Sequence, residues 1–229
     1  MVIPSSLTIA IDGPVASGKT VVGRTVADRL SFRFLDTGAM YRAVTQAALK
    51  AGINVNDAQG LTLLGTTITI SPEVDGRLIV DGHDTTYLLR TPQVEQAVSL
   101  VSRVPGVRSA LVAQQREIAR DGNIVMVGRD IGTVVLPEAP LKVFLTASIV
   151  IRAQRRYKEA QSLGVDLLYA GVEAKLRSRD RIDSRRSESP LRAAEDAIVI
   201  ETDEMEIGEV VDKIASYACR LASQGPSSA

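Results

Sequence analysis

Short apolar runs alternate along the chain with stretches of helical period. Leu7-Thr8-Ile9-Ala10-Ile11 has the unbroken apolar character of a strand buried on both faces. A Gly/Pro/Ser loop, Asp12 to Ser17, separates it from Gly18–Leu30, where Val21, Val22, Val26 and Leu30 recur at helical spacing. Phe32–Leu35 reads as a second strand, and Gly38–Ala51 as a helix closed by Gly52. Ile124–Val127, Leu141–Leu145 and Ala197–Ile200 are three further short strands. Helical stretches fill the spaces between them, and a last helix spans Ile207–Ala222. Five short strands separated by helices predict an α/β fold, a doubly wound parallel five-stranded sheet with helices on both faces.

Residues 60 to 91 break this rhythm. Thr67-Ile68-Thr69-Ile70 and Arg77–Val80 alternate like strands about the turn signal Asp75-Gly76. Asp81–Asp84 is a second turn, and Thr85–Leu89 a third strand. The expectation is a small antiparallel β insert. After it, Thr91-Pro92 opens a helix, with Thr as cap and Pro in the first turn. Pro105 interrupts that helix, and a second one runs to about Arg120. The region 149–186 is helical and Arg-rich, broken near Gly164, and the tail 223–229 is Ser/Gly/Pro-rich and expected to be flexible.

Composition narrows the class. The 229 residues hold 45% hydrophobic and 24% charged residues, a globular balance with enough chain for a full core. No apolar run approaches the roughly 20 residues of a membrane helix, and Met1–Ser6 lacks the features of a secretory signal. One Cys (Cys219) and one His (His83) leave no disulfide framework and no Cys/His zinc site, so a reduced, cytoplasmic setting is expected. Lys+Arg and Asp+Glu both number 27, which offers no basic field for nucleic acid or an anionic membrane. Of the 27 bases, 21 are Arg, the better fork for phosphate oxygens.

Gly13-Pro14-Val15-Ala16-Ser17-Gly18-Lys19-Thr20 fits the phosphate-loop pattern G-x-x-x-x-G-K-[ST] without a gap, after a strand and before a helix. Its backbone N–H groups and the helix N-terminus form an anion nest. Lys19 supplies a cation for the β- and γ-phosphates, and the Thr20 hydroxyl is a ligand for Mg²⁺. A nucleoside triphosphate site of the P-loop NTPase type follows. There is no Asn-Lys-x-Asp to read guanine, and Ile124–Val127 runs into Gly128-Arg129-Asp130 rather than Asp-Glu. These features disfavour a GTPase switch and a motor ATPase and leave a small-molecule kinase. No His lies near a motif to serve as base, whereas Arg recurs at motif positions. An acceptor that is itself a phosphate needs no base, because its second pKa is about 6. It needs cations that hold two repelling phosphates in line.

Three blocks, Asp36-Thr37-Gly38-Ala39-Met40-Tyr41-Arg42, Gly128-Arg129-Asp130-Ile131-Gly132-Thr133-Val134-Val135 and Arg179-Asp180-Arg181-Ile182-Asp183-Ser184-Arg185-Arg186, resemble the signatures of the bacterial cytidylate (CMP/dCMP) kinase family of P-loop nucleoside monophosphate kinases. The resemblance is collinear from about residue 7 to 218, and the insert at 60–91 resembles that family's enlarged NMP-binding domain. It implies one kinase domain with a core (about 1–36, 122–150 and 187–222), an NMP-binding region (about 37–121) and a helical lid (about 151–186). It also implies γ-phosphoryl transfer from ATP to CMP or dCMP, with Mg²⁺, by a monomer.

The resemblance further implies site residues. ATP falls to Gly13 through Thr20. Thr37, Tyr41, Arg42, Arg129 and Arg186 border or grip the CMP phosphate; Ser99, Arg108 and Asp130 read cytosine; Arg179 and Asp183 hold the sugar hydroxyls. Lys19, Arg129 and Arg186, with Arg155 and Arg156 of the lid, neutralise charge in the transition state, and Arg152 starts the same lid. Cytosine suits this set chemically, since Arg108 donates to O2 and N3 while Asp130 accepts from the amine. Pattern alone also fits plainer roles: Arg179, Asp183 and Arg186 fall within about 60° of one helix face, the spacing of a surface salt-bridge row. Asp36 reads equally as a helix cap. The adenine pocket is expected from the lid and the loop near Glu201–Asp203. Two alternatives remain at this point, a UMP- or shikimate-type kinase and a non-catalytic ATP-binding module.

Overall fold

The computed structural model describes residues 7–73, 76–162, 164–186 and 189–224. In chain order the elements are β1 (Thr8–Asp12), α1 (Lys19–Leu30), β2 (Arg33–Asp36), α2 (Thr37–Lys50), α3 (Ala58–Thr67), β3 (Ile70–Pro72), β4 (Leu78–Val80), β5 (His83–Asp84), α4 (Pro92–Val101), α5 (Pro105–Ala119), β6 (Ile124–Gly128), β7 (Leu141–Thr146), α6 (Ile149–Ser162), α7 (Tyr169–Ser184), β8 (Ile198–Glu201) and α8 (Ile207–Gln224). A 3₁₀ turn covers Thr86–Leu88 and a π-helical turn Ile131–Val135.

The sheet has five strands in the order β2-β6-β1-β7-β8. Pairing is parallel for β1 with β6, β1 with β7 and β7 with β8. The expected doubly wound parallel sheet is therefore present. Burial explains the apolar runs: every residue of β6, and Ile9, Ala10 and Ile11 of β1, is buried. The winding changes direction at β1, so the C-terminal ends of β1, β6 and β7 form the place where ligands bind in such sheets.

The chain divides into two compact units, one of residues up to Phe32 and from Gly122 on, the other Arg33–Asp121. In the first, α1 packs on α8 through Val22, Val26 and Leu30 and through Val210, Val211, Ile214 and Ala218, all buried. Val21, counted with the apolar stripe, is instead 53% exposed. Helices α6 and α7 build their own small core from Ala153, Val172 and Leu176, against which Val15, Ile149, Tyr157, Leu167 and Tyr169 pack. Tyr157 and Tyr169 meet edge to face at 5.9 Å. In the second unit, α2 packs on α4 and α3 on α5, beside a three-stranded antiparallel sheet β3-β4-β5.

The insert differs from expectation at both ends. Residues 60–67 are helical, because the Asp57 carboxylate accepts the N–H groups of Gln59 and Gly60 and starts α3. The alternation read at Thr67–Ile70 survives only as buried Ile68 and Ile70 about exposed Thr69, at the exit from that helix. Thr85–Leu89 is not a strand. Asp84 Oδ1 accepts from the Thr86 N–H and hydroxyl and curls the chain into a 3₁₀ turn, so the third strand is His83–Asp84. The turn residue Asp75 lies outside the described residues, as do Met1–Ser6 and the tail beyond Gln224. Thr91 precedes α4, yet its hydroxyl donates to the Leu88 carbonyl rather than capping; Pro92 opens the helix as expected. Exposed His83 and half-buried Cys219 sit apart from the motifs. Among the described residues, no helix is long and apolar enough to cross a membrane.

Candidate active site

Within the first unit the phosphate loop joins β1 to α1. Gly13 has φ 149, and a Cβ there would lie 2.0 Å from the Leu145 carbonyl oxygen, so only glycine lets the chain leave β1 this way. Ala16 and Gly18 are left-handed, at φ 60 and 93, and wrap the backbone towards the first turn of α1. That turn opens at Gly18 without a side-chain cap, leaving the positive end of the helix available to an anion. Lys19 is buried; its ammonium donates to the Pro14 carbonyl at 2.5 Å and to Ser17 Oγ at 3.3 Å. Thr20 follows it, half-buried, on the first turn of α1.

Arg129, Asp183 and Arg186 meet in the same unit. Arg129 Nε donates to Asp183 Oδ2 at 2.9 Å, and an Arg186 amine donates to Oδ1 at 2.7 Å. Burial alone would raise the Asp183 carboxyl. The guanidiniums of Arg129, Arg186 and Arg179 outweigh it and hold the group below the usual carboxylate range. Arg186 is not on α7, which carries Arg179 and Asp183 and ends at Ser184. Its side chain nonetheless folds back to the carboxylate three residues earlier. Arg181 and Arg185 are exposed, as expected of solvated neighbours. Asp130 is buried at the start of the Ile131–Val135 turn.

The three arginines of α6 have separate partners. Arg155 donates to the Thr202 hydroxyl and carbonyl, at 3.0 and 2.6 Å, in the loop after β8. Arg156 pairs with Glu159 one turn along α6, a partly exposed pair worth little by itself. Arg152 is buried and pinned: it donates to the carbonyls of Ala147 and Val15 and, with two amines, to Asp180 on α7. It fastens the α6–α7 pair to the phosphate loop. Asp203 also holds this region, accepting the Ser148 N–H just before α6.

In the second unit, Thr37 is the buried first residue of α2, and Asp36 stands at its N-cap position without a side-chain capping bond. Arg42, on the next turn, donates from Nε to Glu95 of α4 at 2.9 Å. Arg108 of α5 is buried with its guanidinium 5.4 Å from the centre of the Tyr41 ring, and it donates to the Ser102 carbonyl at 3.3 Å. Ser99 is half-buried on α4.

Sequence reasoning gives no role to Asp12, Glu95 or Asp180: Asp12 reads as the beginning of a loop, and Asp180 stands in the Arg179–Arg186 block without a part of its own. Thr202 lies in the Glu201–Asp203 loop expected near the adenine, and its bond to Arg155 is what the sequence does not mark.

The cytidylate kinase family model matches residues 9–220. The chain belongs to the cytidylate kinase family. It is 43% identical to a cytidylate kinase of Bacillus licheniformis over 95% of this chain and 98% of that protein. It is 48% identical to a bifunctional pantoate ligase/cytidylate kinase of a Synechococcus strain over 98% of this chain, and spans 43% of the length of that longer relative. Among solved structures, a gluconokinase from Sinorhizobium meliloti shares the fold, with a TM-score of 0.50 at 16% identity over 96% of this chain and 95% of that one. The two signature blocks that lie in the first unit, Gly128–Val135 and Arg179–Arg186, fall on the end of β6 with the π-helical turn after it, and on the last turns of α7 with the two residues beyond.

Proposed function

We propose that this protein transfers the γ-phosphoryl group of ATP to CMP or dCMP, giving CDP or dCDP and ADP. Membership of the cytidylate kinase family supports the reading. The observation that carries it is the pairing, within one compact unit, of a strand–loop–helix phosphate cradle with a carboxylate gripped by Arg129 and Arg186. The first binds a triphosphate through backbone N–H groups. The second presents two guanidiniums already oriented by an acid, the equipment for a phosphate acceptor.

In this reading Lys19 exchanges its contact with the Pro14 carbonyl for the β- and γ-phosphates. Arg42, Arg129 and Arg186 hold the CMP phosphate, a dianion at neutral pH, in line with the donor. Arg155 and Arg156 add positive charge from α6 as the γ-phosphoryl group moves. Arg108 and Asp130, with Ser99, select cytosine by hydrogen bonds, and Arg179 and Asp183 take the sugar hydroxyls. Thr37 and Tyr41 border the acceptor. No residue accepts a proton in the transfer step, because the nucleophile is already an anion.

Among the described residues no group of three or more His, Cys, Asp or Glu is placed to hold a metal. The Thr20 hydroxyl, on the first turn of α1, is a hard oxygen donor that fits a Mg²⁺ ion arriving with the nucleotide phosphates. Mg²⁺ bound there supplies charge neutralisation on the transferring phosphates. The same reading has a monomer working in the cytoplasm.

The test is ADP release from ATP and Mg²⁺ with CMP, dCMP, UMP, AMP, shikimate or no acceptor. Turnover with CMP and dCMP well above the rest is expected. Comparable turnover with UMP overturns the cytosine-reading roles, a shikimate response indicates a different kinase, and no acceptor dependence overturns the reaction.

A further inference from the structure

Asp12 has no part in the reading above, yet it is 4% exposed at the very end of β1, directly before the phosphate loop. Its carboxylate reaches across to β6's continuation. Oδ1 accepts the Ile131 N–H at 2.8 Å and Oδ2 accepts the Gly132 N–H at 2.7 Å. These are the first two N–H groups of the Ile131–Val135 turn. The first donors of a helical turn have no acceptor within it, and buried donors need one. Asp130 occupies the N-cap position with φ −148 and ψ 26, and makes no capping bond with its own side chain. The cap therefore comes from a different strand. The fit is close: a Cβ on Gly132 would come within 3.2 Å of the Lys142 chain and 3.5 Å of Asp12 Oδ2.

The electrostatics agree with a carboxylate held in place against its own preference. Burial raises the Asp12 carboxyl to about 6, while the two N–H bonds and Lys19 pull it down and Asp130 pushes it up. It is thus ionised at neutral pH and aimed at backbone donors.

We propose that Asp12 is a positioning residue for the acceptor nucleotide, acting by clamping the turn that follows Asp130. Resting on the functional reading above, the clamp sets the direction in which Arg129 and Asp130 leave β6. The phosphate loop is held by its own backbone angles at Gly13, Ala16 and Gly18, so loss of the clamp falls on the turn.

The experiment is steady-state kinetics of Asp12→Asn, which keeps the shape but turns an NH₂ group onto one of the two N–H donors. The expected result is a CMP KM raised about tenfold, equivalent to about 1.4 kcal/mol, with the ATP KM within about twofold of wild type. A CMP KM that does not move, or both KM values rising together, overturns the proposal. If the variant does not fold, the wild type decides. The Ile131 and Gly132 amide resonances, followed without substrate, are expected to shift together with a midpoint near the Asp12 value of about 6. Amides that do not respond to pH overturn the clamp. Failure of the functional reading shows separately, as a wild type with no CMP-dependent turnover before any variant is made.

Discussion

The phosphate loop and the paired arginines, proposed above to hold the substrate anions, are built on different principles. The Gly13–Thr20 loop relies on backbone geometry: a glycine that alone fits under the Leu145 carbonyl, left-handed residues at Ala16 and Gly18, and a helix N-terminus. The arginines rely on acids. Arg129 and Arg186 share Asp183, Arg42 has Glu95, and Arg152 has Asp180. A loop's N–H groups are fixed by its own φ and ψ. A long guanidinium side chain is not, and it loses rotamer freedom when it binds. The acids remove that freedom beforehand, so on the proposed reading substrate meets donors already in place. Mutation should separate the two principles.

The largest effect is expected on the loop side. Lys19→Ala removes a cation from the transferring phosphates and should lower kcat by about 10² to 10³, the range found when one preorganised charge-stabilising donor is lost. Stopped-time assays of ADP formation check this. A loss of a few fold would mean that the backbone nest does most of the work alone.

On the arginine side, Asp183→Asn leaves two guanidiniums facing each other. Arg186 and Asp183 have side chains only 8% and 5% exposed, so breaking the pair should destabilise the fold by about 3 kcal/mol or more. Urea unfolding of the variant measures it.

pH sharpens the contrast between the two buried acids. Asp183 is held below its ordinary value of 3.8, so its contribution is present above that pH and is lost as pH falls through the lowered value. Asp12 is the reverse. Its carboxyl is raised from 3.8 to about 6, so its contribution is complete below pH 4 and is lost as pH rises through 6. At about 1.4 kcal/mol per unit, roughly two units amount to about 3 kcal/mol between pH 4 and pH 7. Unfolding free energies of wild type and Asp12→Asn at those two pH values should differ in slope by about this amount, with the variant flatter. Parallel slopes would refute the assignment to Asp12.

The smallest effect is expected at the more open pair. The side chains of Arg42 and Glu95 are 18% and 25% exposed. Glu95→Gln should change stability by less than about 1 kcal/mol. It should raise the CMP KM by about threefold, a factor worth about 0.7 kcal/mol. A lower KM would show that Glu95 competes with the phosphate instead of aiming Arg42.

The same contrast explains what could be read in advance. The phosphate loop is legible because backbone devices are local: eight consecutive residues, Gly13 to Thr20, carry the whole signal, and the flanking strand and helix are marked by period. The five strands are legible for a similar reason, since burial on both faces leaves continuous apolar runs such as Ile124–Val127. Tertiary devices leave no such trace. That Arg42 pairs with Glu95, 53 residues away, or Arg152 with Asp180, 28 residues away, depends on helix packing that no spacing announces. The errors in the insert have the same origin at short range. Asp57 and Asp84 each captured nearby N–H groups, and local side-chain bonds overrode an alternation that looked like strand. Arg186 was placed on a helix that stops two residues before it, because the end of α7 carries no glycine or proline to mark it.

The claim that acids prepare the arginines can be tested apart from any contact between Asp183 and the sugar. Calorimetric binding of 2′,3′-dideoxycytidine monophosphate, which has no sugar hydroxyls to offer, should be compared between wild type and Asp183→Asn. The account predicts that the variant binds this nucleotide at least about tenfold more weakly, because Arg129 and Arg186 are no longer held for its phosphate. Equal affinity of the two proteins for the dideoxy nucleotide, with CMP alone weakened, would contradict it and leave Asp183 as a sugar ligand only.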